Sequence, residues 1–317
     1  MKENEVIKLS RKCNFLATEA VPLKLEASGR EYWRISDKSE SLVLCYLNPS
    51  SGNHLDFLKI SNLLKANDIN TADIIHHNAD IGVTLQKDLG DDDLLTIFNE
   101  TNKHDLLKQS LDLLAKIQGL PQDEIPKLTH EDMVDQMNLF IETFCINFLE
   151  VNPDNSINDL ILLTLENIKK QPRVNCHFDF ERRNLILHQD QIAIIDHQDM
   201  KIGPLGIDLS GLLVDHYYPV NFEDISLMLD YFSEQIKFRH NSEELLYFLR
   251  WGSIQRNMRI LGTLANLHLK HNRSFRLKDL PMILSNLEYM IPDNHESKFF
   301  ISKKLKQIGR ASCRERV

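Results

Sequence analysis

Two short apolar runs, residues 184–188 (NLILH) and 191–196 (QIAIID), stand on either side of a polar pair, Gln189-Asp190, inside a stretch whose other patterning is helical. Two β-rich runs joined by so tight a turn read as a hairpin. Its flanks carry reactive side chains. His177 and Asp179 precede it, Asn184 opens it, and Asp196, Gln198 and Asp199 follow its second run. A hairpin fixes the distance between its two ends, so an Asn at one end and an Asp at the other can work together.

Around this island the chain changes character once. Residues 31–35 (EYWRI) and 41–46 (SLVLCY) predict two strands, residues 56–67 carry apolar side chains at helical spacing, and residues 73–76 and 82–86 predict two more strands. From about Asp93 the i, i+3, i+4 pattern takes over, in residues 94–98, 103–118, 131–150 and 157–169, and it resumes after Pro219 to about Lys306. At 317 residues the chain exceeds what one core usually covers. The expected architecture is α+β and bilobal: a β-rich N-lobe over 1–90, then a helical C-lobe over 91–307 with the embedded hairpin. Residues 308–317 (ASCRERV at their end) are cationic and aperiodic, resemble read-through into adaptor sequence, and are set aside.

Phosphoryl transfer asks little covalent chemistry of a protein. It needs a carboxylate to orient the acceptor hydroxyl and take its proton, and oxygen ligands to hold divalent metal against a triphosphate. Asp179 in the loop suits the first role. Asn184 and Asp196, at the two hairpin ends, suit the second. The pattern H-x-D-x-x-x-x-N with a downstream Asp is the kinase arrangement, in which His177 braces the loop through backbone hydrogen bonds.

A formal net charge of -9, spread rather than blocked, disfavours nucleic acid as a partner. No apolar run is long enough to span a bilayer, and the N-terminus has no apolar signal core. Cys13, Cys45, Cys145, Cys176 and Cys313 are widely spaced and form no C-x-x-C pair, which argues against disulfides and zinc and fits a reducing cytoplasm. His76-His77 lack a third ligand and read as surface histidines. Phe140, Phe144 and Phe148 share a helical face and read as core.

The segment HFDFERRNLILHQDQIAIIDHQDMKIGPLGIDLSGLL resembles the signature of the anomeric sugar kinases of the aminoglycoside phosphotransferase family, which phosphorylate N-acetylmuramate and N-acetylglucosamine. Asp196, Gln198, Asp199, Gly203, Pro204, Asp208 and Leu209 match its pattern. ASGREYWRI, GVTLQKDLGD and WGSIQRNMRILGTLANLHLK resemble its glycine-rich loop, hinge and late helix. The resemblance implies a protein-kinase-like fold, ATP and Mg2+ as cofactors, and an amino sugar as the small-molecule partner, in peptidoglycan recycling by a cytoplasmic monomer. It implies Asp179 as general base, Asn184 and Asp196 as metal ligands, and Gln198, Asp199 and Arg256 as substrate contacts. Ser28, Gly29 and Arg30 would cover the phosphates, Gln86, Lys87 and Asp88 would form the hinge near adenine, and Asp208 would brace the catalytic loop. Arg256 reads equally as a bracing arginine. The late helix offers Gln255, Arg256, Asn257 and Arg259, which suit a neutral or anionic sugar better than a cationic acceptor. Two departures stand out: His197 replaces the family's Phe after the metal-binding Asp, and Glu31 reverses an Arg of its phosphate loop.

Overall fold

A computed structural model describes residues 1–23, 29–123, 125–236 and 240–305, the side chain of Lys304 excepted. Along the chain come α1 (Glu3–Lys12), β1 (Glu19–Pro22), β2 (Glu31–Ser36), β3 (Ser41–Tyr46), α2 (Leu55–Ala66), β4 (Ile74–Asn78) and β5 (Val83–Lys87). Next are α3 (Leu94–Ile97), α4 (Lys103–Gln118), α5 (His130–Leu139), a π-helix (Phe140–Phe148), α6 (Asn155–Lys169) and β6 (Arg173–Cys176). A 3-10 turn (Arg182–Asn184) leads into β7 (Leu185–His188) and β8 (Gln191–Ile194), then β9 (Lys201–Pro204), α7 (Gly206–Leu213), α8 (Phe222–Gln235), α9 (Ser242–His271), α10 (Leu280–Met290) and α11 (Ser297–Phe300). Among the described residues no helix is long and apolar enough to cross a membrane.

The chain divides into two compact units. The sheet unit takes Met1–Thr96 and Asn184–Asp199; the helical unit takes Ile97–Arg183 and the described residues from Met200 onward. In the sheet unit five antiparallel strands run in the order β1-β2-β3-β5-β4. Alternation along β2 and β3 puts Trp33, Ile35, Leu42 and Leu44 on one buried face, where Val6 of α1 and Phe15 close over them. The hairpin β7–β8 joins this unit, with Leu185 opposite Ile194. Ile186 and Ala193 pack against Ala72 and Leu89, and Ile194 N–H donates to the Asn70 carbonyl at 2.9 Å. A segment that the chain places among helices thus belongs to the sheet unit, as a two-stranded sheet of its own.

In the helical unit the 30-residue α9 is the central element, packed by α5, α7, α10 and the π-helix. Asn241 caps it in a reciprocal capping box with Glu244, and Asn272 ends it in the left-handed conformation. Phe140, Phe144 and Phe148 are fully buried and their rings stack at 5.5 and 6.0 Å, as their spacing predicts.

Four features go beyond the sequence expectation. The sheet unit has α1 and β1 in addition to two strands, a helix and two strands. The helix expected over 131–150 widens to π geometry at Phe140. A second antiparallel pair, β6 with β9, accompanies the hairpin, although one β island was expected. Helix α7 precedes Pro219, and all eight of its residues are buried, so it has no polar face to produce a period.

Candidate active site

In the helical unit the site begins where β6 ends. The backbone N–H groups of His177 and Phe178 donate to the Asp208 carboxylate at 2.5 and 2.8 Å. Asp208 lies on α7 with no exposure, and burial pushes its carboxyl up to about 6 against the opposing pull of His177 and those two N–H groups. Through those two hydrogen bonds it holds the loop from beneath. Phe178 takes φ 74°, a left-handed conformation rare for a bulky residue. Asp179 follows with its side chain 38 % exposed, and Arg259 Nη2 of α9 reaches both the Phe178 carbonyl, at 3.0 Å, and Asp179 Oδ1, at 3.3 Å. Burial acts to raise the Asp179 carboxyl, but Arg259, with Arg183 and Arg256, outweighs burial and Glu181 and holds it below the usual carboxylate range.

Below Asp179 lies a buried ionic network. Glu181 pairs with Arg183 and, at 2.6 Å, with Arg256 Nη2. Burial opposes its ionisation, and the two arginines overcome that. Arg182 pairs with the buried Asp215 and lies over the Phe98 ring, 4.1 Å from its centroid. His216 accepts from Arg276 at 2.6 Å, and burial lowers its pKa to about 3. Of the four polar side chains expected on the late helix, Gln255, Arg256 and Asn257 are at most 1 % exposed, whereas Arg259 keeps 16 %. Gln255 bonds Gln136, and Arg256 is committed to Glu181.

The sheet unit carries a second group of the expected residues. Asn184 and Asp196 stand at the two ends of the hairpin, tied by Ile195 N–H donating to the Asn184 carbonyl at 3.1 Å. Asp196 takes φ 62°, another left-handed non-glycine of the kind that persists where function requires it. Gln198 Nε2 donates to Asp196 Oδ1 at 2.7 Å, and Gln198 is 7 % exposed, so its amide orients the carboxylate; Asp199 is exposed. His197 is buried, stacks on Phe57 of α2 at 4.8 Å, and bonds Ser61 Oγ at 2.7 Å and Thr71 Oγ1 at 3.3 Å. The replacement of Phe by His therefore keeps ring packing and adds polar ties to α2.

Ser28 lies outside the described residues. Gly29 has φ 74°, and Arg30 and Asp196 both act on Tyr32 and on the buried Cys45, whose pKa values burial raises, that of Cys45 to about 12. Arg30 and the hairpin carboxylate of Asp196 thus both lie near Tyr32 and Cys45. Glu31 accepts from the amino group of Met1 at 2.5 Å. In the expected hinge, Gln86 is buried in β5 and Lys87 is exposed. Asp88 accepts from Arg34 Nε at 2.6 Å, Ser41 Oγ at 2.8 Å and Gly90 N–H at 3.0 Å. Burial would raise the Asp88 carboxyl, but these donors hold it below its usual range and make it the brace of the hinge turn. His77 bonds Thr84 and meets His54 edge-on, and among the described residues no cluster of three His, Cys, Asp or Glu side chains forms.

Glu181, Arg34 and the contact of Arg259 with Asp179 lay beyond sequence reasoning. The spacing of Arg256 and Arg259, three apart on one helix, was the available signal that both share a face.

The chain is similar to known proteins. A model of the phosphotransferase enzyme family matches residues 19–232. The N-acetylmuramate/N-acetylglucosamine kinase of Neisseria meningitidis is 25 % identical over 279 residues, covering 83 % of this chain and 82 % of that protein. Its namesake from Pseudomonas aeruginosa is 23 % identical over 280 residues, covering 85 % and 83 %. Among solved structures, choline kinase LicA from Streptococcus pneumoniae superposes with a TM-score of 0.67 at 13 % identity, over 90 % of this chain and 99 % of that one. Spectinomycin phosphotransferase APH(9)-Ia, solved with ADP and spectinomycin, gives 0.65 at 16 % identity, over 100 % and 99 %. The expected protein-kinase-like, aminoglycoside-phosphotransferase-like fold is borne out, and the chain belongs to the phosphotransferase enzyme family.

Proposed function

We propose that this enzyme transfers the γ-phosphoryl group of ATP to the anomeric hydroxyl of N-acetylmuramate or N-acetylglucosamine, with Asp179 as the base. The observation that carries the reading is the clamped loop: Asp208 beneath and Arg259 beside it hold a strained Phe178–Asp179 step around one half-exposed carboxylate. Strain of this kind is retained where a side chain must be aimed. The kinase-named relatives support the choice of sugar, as do Gln198 and Asp199 in their matching positions.

Asn184 and Asp196 would hold Mg2+. Their donor set fits: an amide oxygen and a carboxylate, both hard oxygen ligands, at ends tied by a hydrogen bond, suit an ion that takes one or two protein ligands and its remainder from phosphate and water. Such an ion supplies charge neutralisation at the phosphates. Gln198 orients Asp196, Gly29 and Arg30 cover the phosphates, residues 86–88 lie at the adenine, and Asp199 meets the sugar. Arg256 acts as a brace through Glu181. Asp179 points the hydroxyl and takes its proton as the new O–P bond forms.

A coupled assay that follows ADP release tests this. Turnover is expected with N-acetylmuramate, N-acetylglucosamine or both, and Asp179→Asn is expected to abolish transfer while Mg-ATP binding stays within about twofold, since general base and binding roles separate. Turnover confined to choline, homoserine or an aminoglycoside would overturn the assignment of acceptor; an active Asp179→Asn would overturn that of the base.

A further inference from the structure

We infer that Arg259 is a positioning residue for phosphoryl transfer, which sets the direction of the Asp179 carboxylate by gripping the peptide before it. The inference rests on Asp179 being the base. Phe178, at φ 74°, sits where a β-carbon is crowded, and such a residue stays there only if its surroundings over-determine it. Two side chains do so from opposite ends of the residue. Asp208 of α7 takes its N–H at 2.8 Å, and Arg259 of α9 takes its carbonyl at 3.0 Å. The same Arg259 nitrogen lies 3.3 Å from Asp179 Oδ1, and the guanidinium carbon is 5.9 Å from the centroid of the Phe178 ring. One planar group therefore bonds the strained carbonyl and the carboxylate that follows, and lies over the Phe178 ring. Turning the Phe178–Asp179 peptide would break two of these contacts together. A lysine ends in a compact ammonium on a flexible stem, with no planar face to lie over the Phe178 ring, so it could not hold the carbonyl, the ring and the carboxylate together.

Electrostatics single out the same residue. The charged groups acting on Asp179 are Glu181 and Arg183 from its own loop and Arg256 and Arg259 from α9; Asp208 of α7 and Asp179 also repel each other. Arg183 and Arg256 are both bonded to Glu181, which offsets their charge. Among the described residues Arg259 is paired with no carboxylate other than Asp179. Its position on α9 is rigid, because the residues around it in the helix are buried.

The test uses Arg259→Gln and Arg259→Lys in the full chain, with kcat and KM for ATP and for N-acetylmuramate measured across pH beside the unfolding midpoint. In Arg259→Gln, kcat is expected to fall about 10²-fold, the scale of a catalytic group displaced by about 1 Å, with both KM values within about threefold. The acid limb of kcat/KM is expected to move to higher pH, because a carboxyl that loses its nearest cation holds its proton more tightly. Arg259→Lys keeps the charge, so its acid limb should stay near wild type while kcat still falls. A folded Arg259→Gln with wild-type kcat and acid limb overturns the proposal, and so does a loss of stability or a raised KM with those two unchanged, which is what packing on Phe178 alone would give. If Arg259→Gln does not fold, Arg259→Lys decides, and wild-type kcat in it overturns the role. The base assignment fails separately: an active Asp179→Asn removes both claims, whereas an inactive Asp179→Asn with a wild-type Arg259→Gln removes only this one.

Discussion

At the scale of single residues, the departures from the family pattern carry the most information. His197 stands where the sugar-kinase pattern it resembles has Phe, and it makes polar contacts that a Phe could not. Its ring still stacks on Phe57, and both of its nitrogens reach hydroxyls, of Ser61 and of Thr71. His197→Phe should keep the stacking and strip the two ties, leaving the Ser61 hydroxyl buried with one partner fewer. Losing a buried hydrogen bond in this way costs about 1–3 kcal/mol. Urea denaturation should show that loss; an unchanged midpoint would mean that the ties to α2 are idle. Asp88 illustrates the converse. It matched a hinge motif, but its carboxylate is consumed by Gly90, a local turn donor, and by Arg34 and Ser41, which no local spacing could announce because they come from β2 and β3 of the folded sheet.

Between elements, the decisive contact is the crossing of α7 and α9. An added Cβ on Gly206 would lie 1.9 Å from the Phe248 carbonyl oxygen, and one on Gly252 would lie 2.4 Å from the carbonyl carbon of Gly206. Backbone meets backbone there, so nothing can yield. Gly252→Ala should destabilise by about 3 kcal/mol or more, beyond ordinary overpacking of side chains. Because α7 carries Asp208, kcat should fall as well. Thermal unfolding and the coupled assay on the same sample check both. Gly203-Pro204, before α7, was visible in the sequence as part of a family pattern, but the need for glycine at Gly206 and Gly252 was not. The physical reason for that need, a helix crossing without room for a methyl group, appears only when α9 is in place.

For the molecule as a whole, the buried network of the helical unit should mark its pH dependence. Asp208 and Asp215 are raised to about 6, so each holds a proton in the folded state that it lacks unfolded, between about pH 4 and 6. Stability from these two is present at the acid end of that window and is lost as pH rises through it. His216, lowered to about 3, has the opposite sign: the unfolded chain takes up a proton below about pH 6.5 that the folded one refuses, so its contribution is lost as pH falls. One carboxyl and the imidazole offset each other, which leaves a decline of at most about 1.4 kcal/mol per pH unit toward neutrality from this network. His216→Asn should remove the offset and steepen that decline to about twice its slope. Urea midpoints collected from pH 4 to 6.5 on both proteins measure it.

What the sequence determined by itself was local or carried by spacing: the hairpin and its turn, most strands of the sheet, the amphipathic helices, and the order His177, Asp179, Asn184, Asp196. Period, turn chemistry and the separation of polar residues are properties of neighbouring positions, and those survive without a fold. Tertiary structure decided the rest. It assigned the hairpin to the sheet unit through Ala72 and Leu89, paired β6 with β9, and revealed α7, whose uniformly buried surface has no period to read. It also sorted the site residues into those that remain accessible, Asp179, Asp199 and Arg259, and those committed to neighbours, Asp88, Gln198 and Arg256. That sorting depends on which distant donors reach a carboxylate or a guanidinium, and distance along a chain does not encode it.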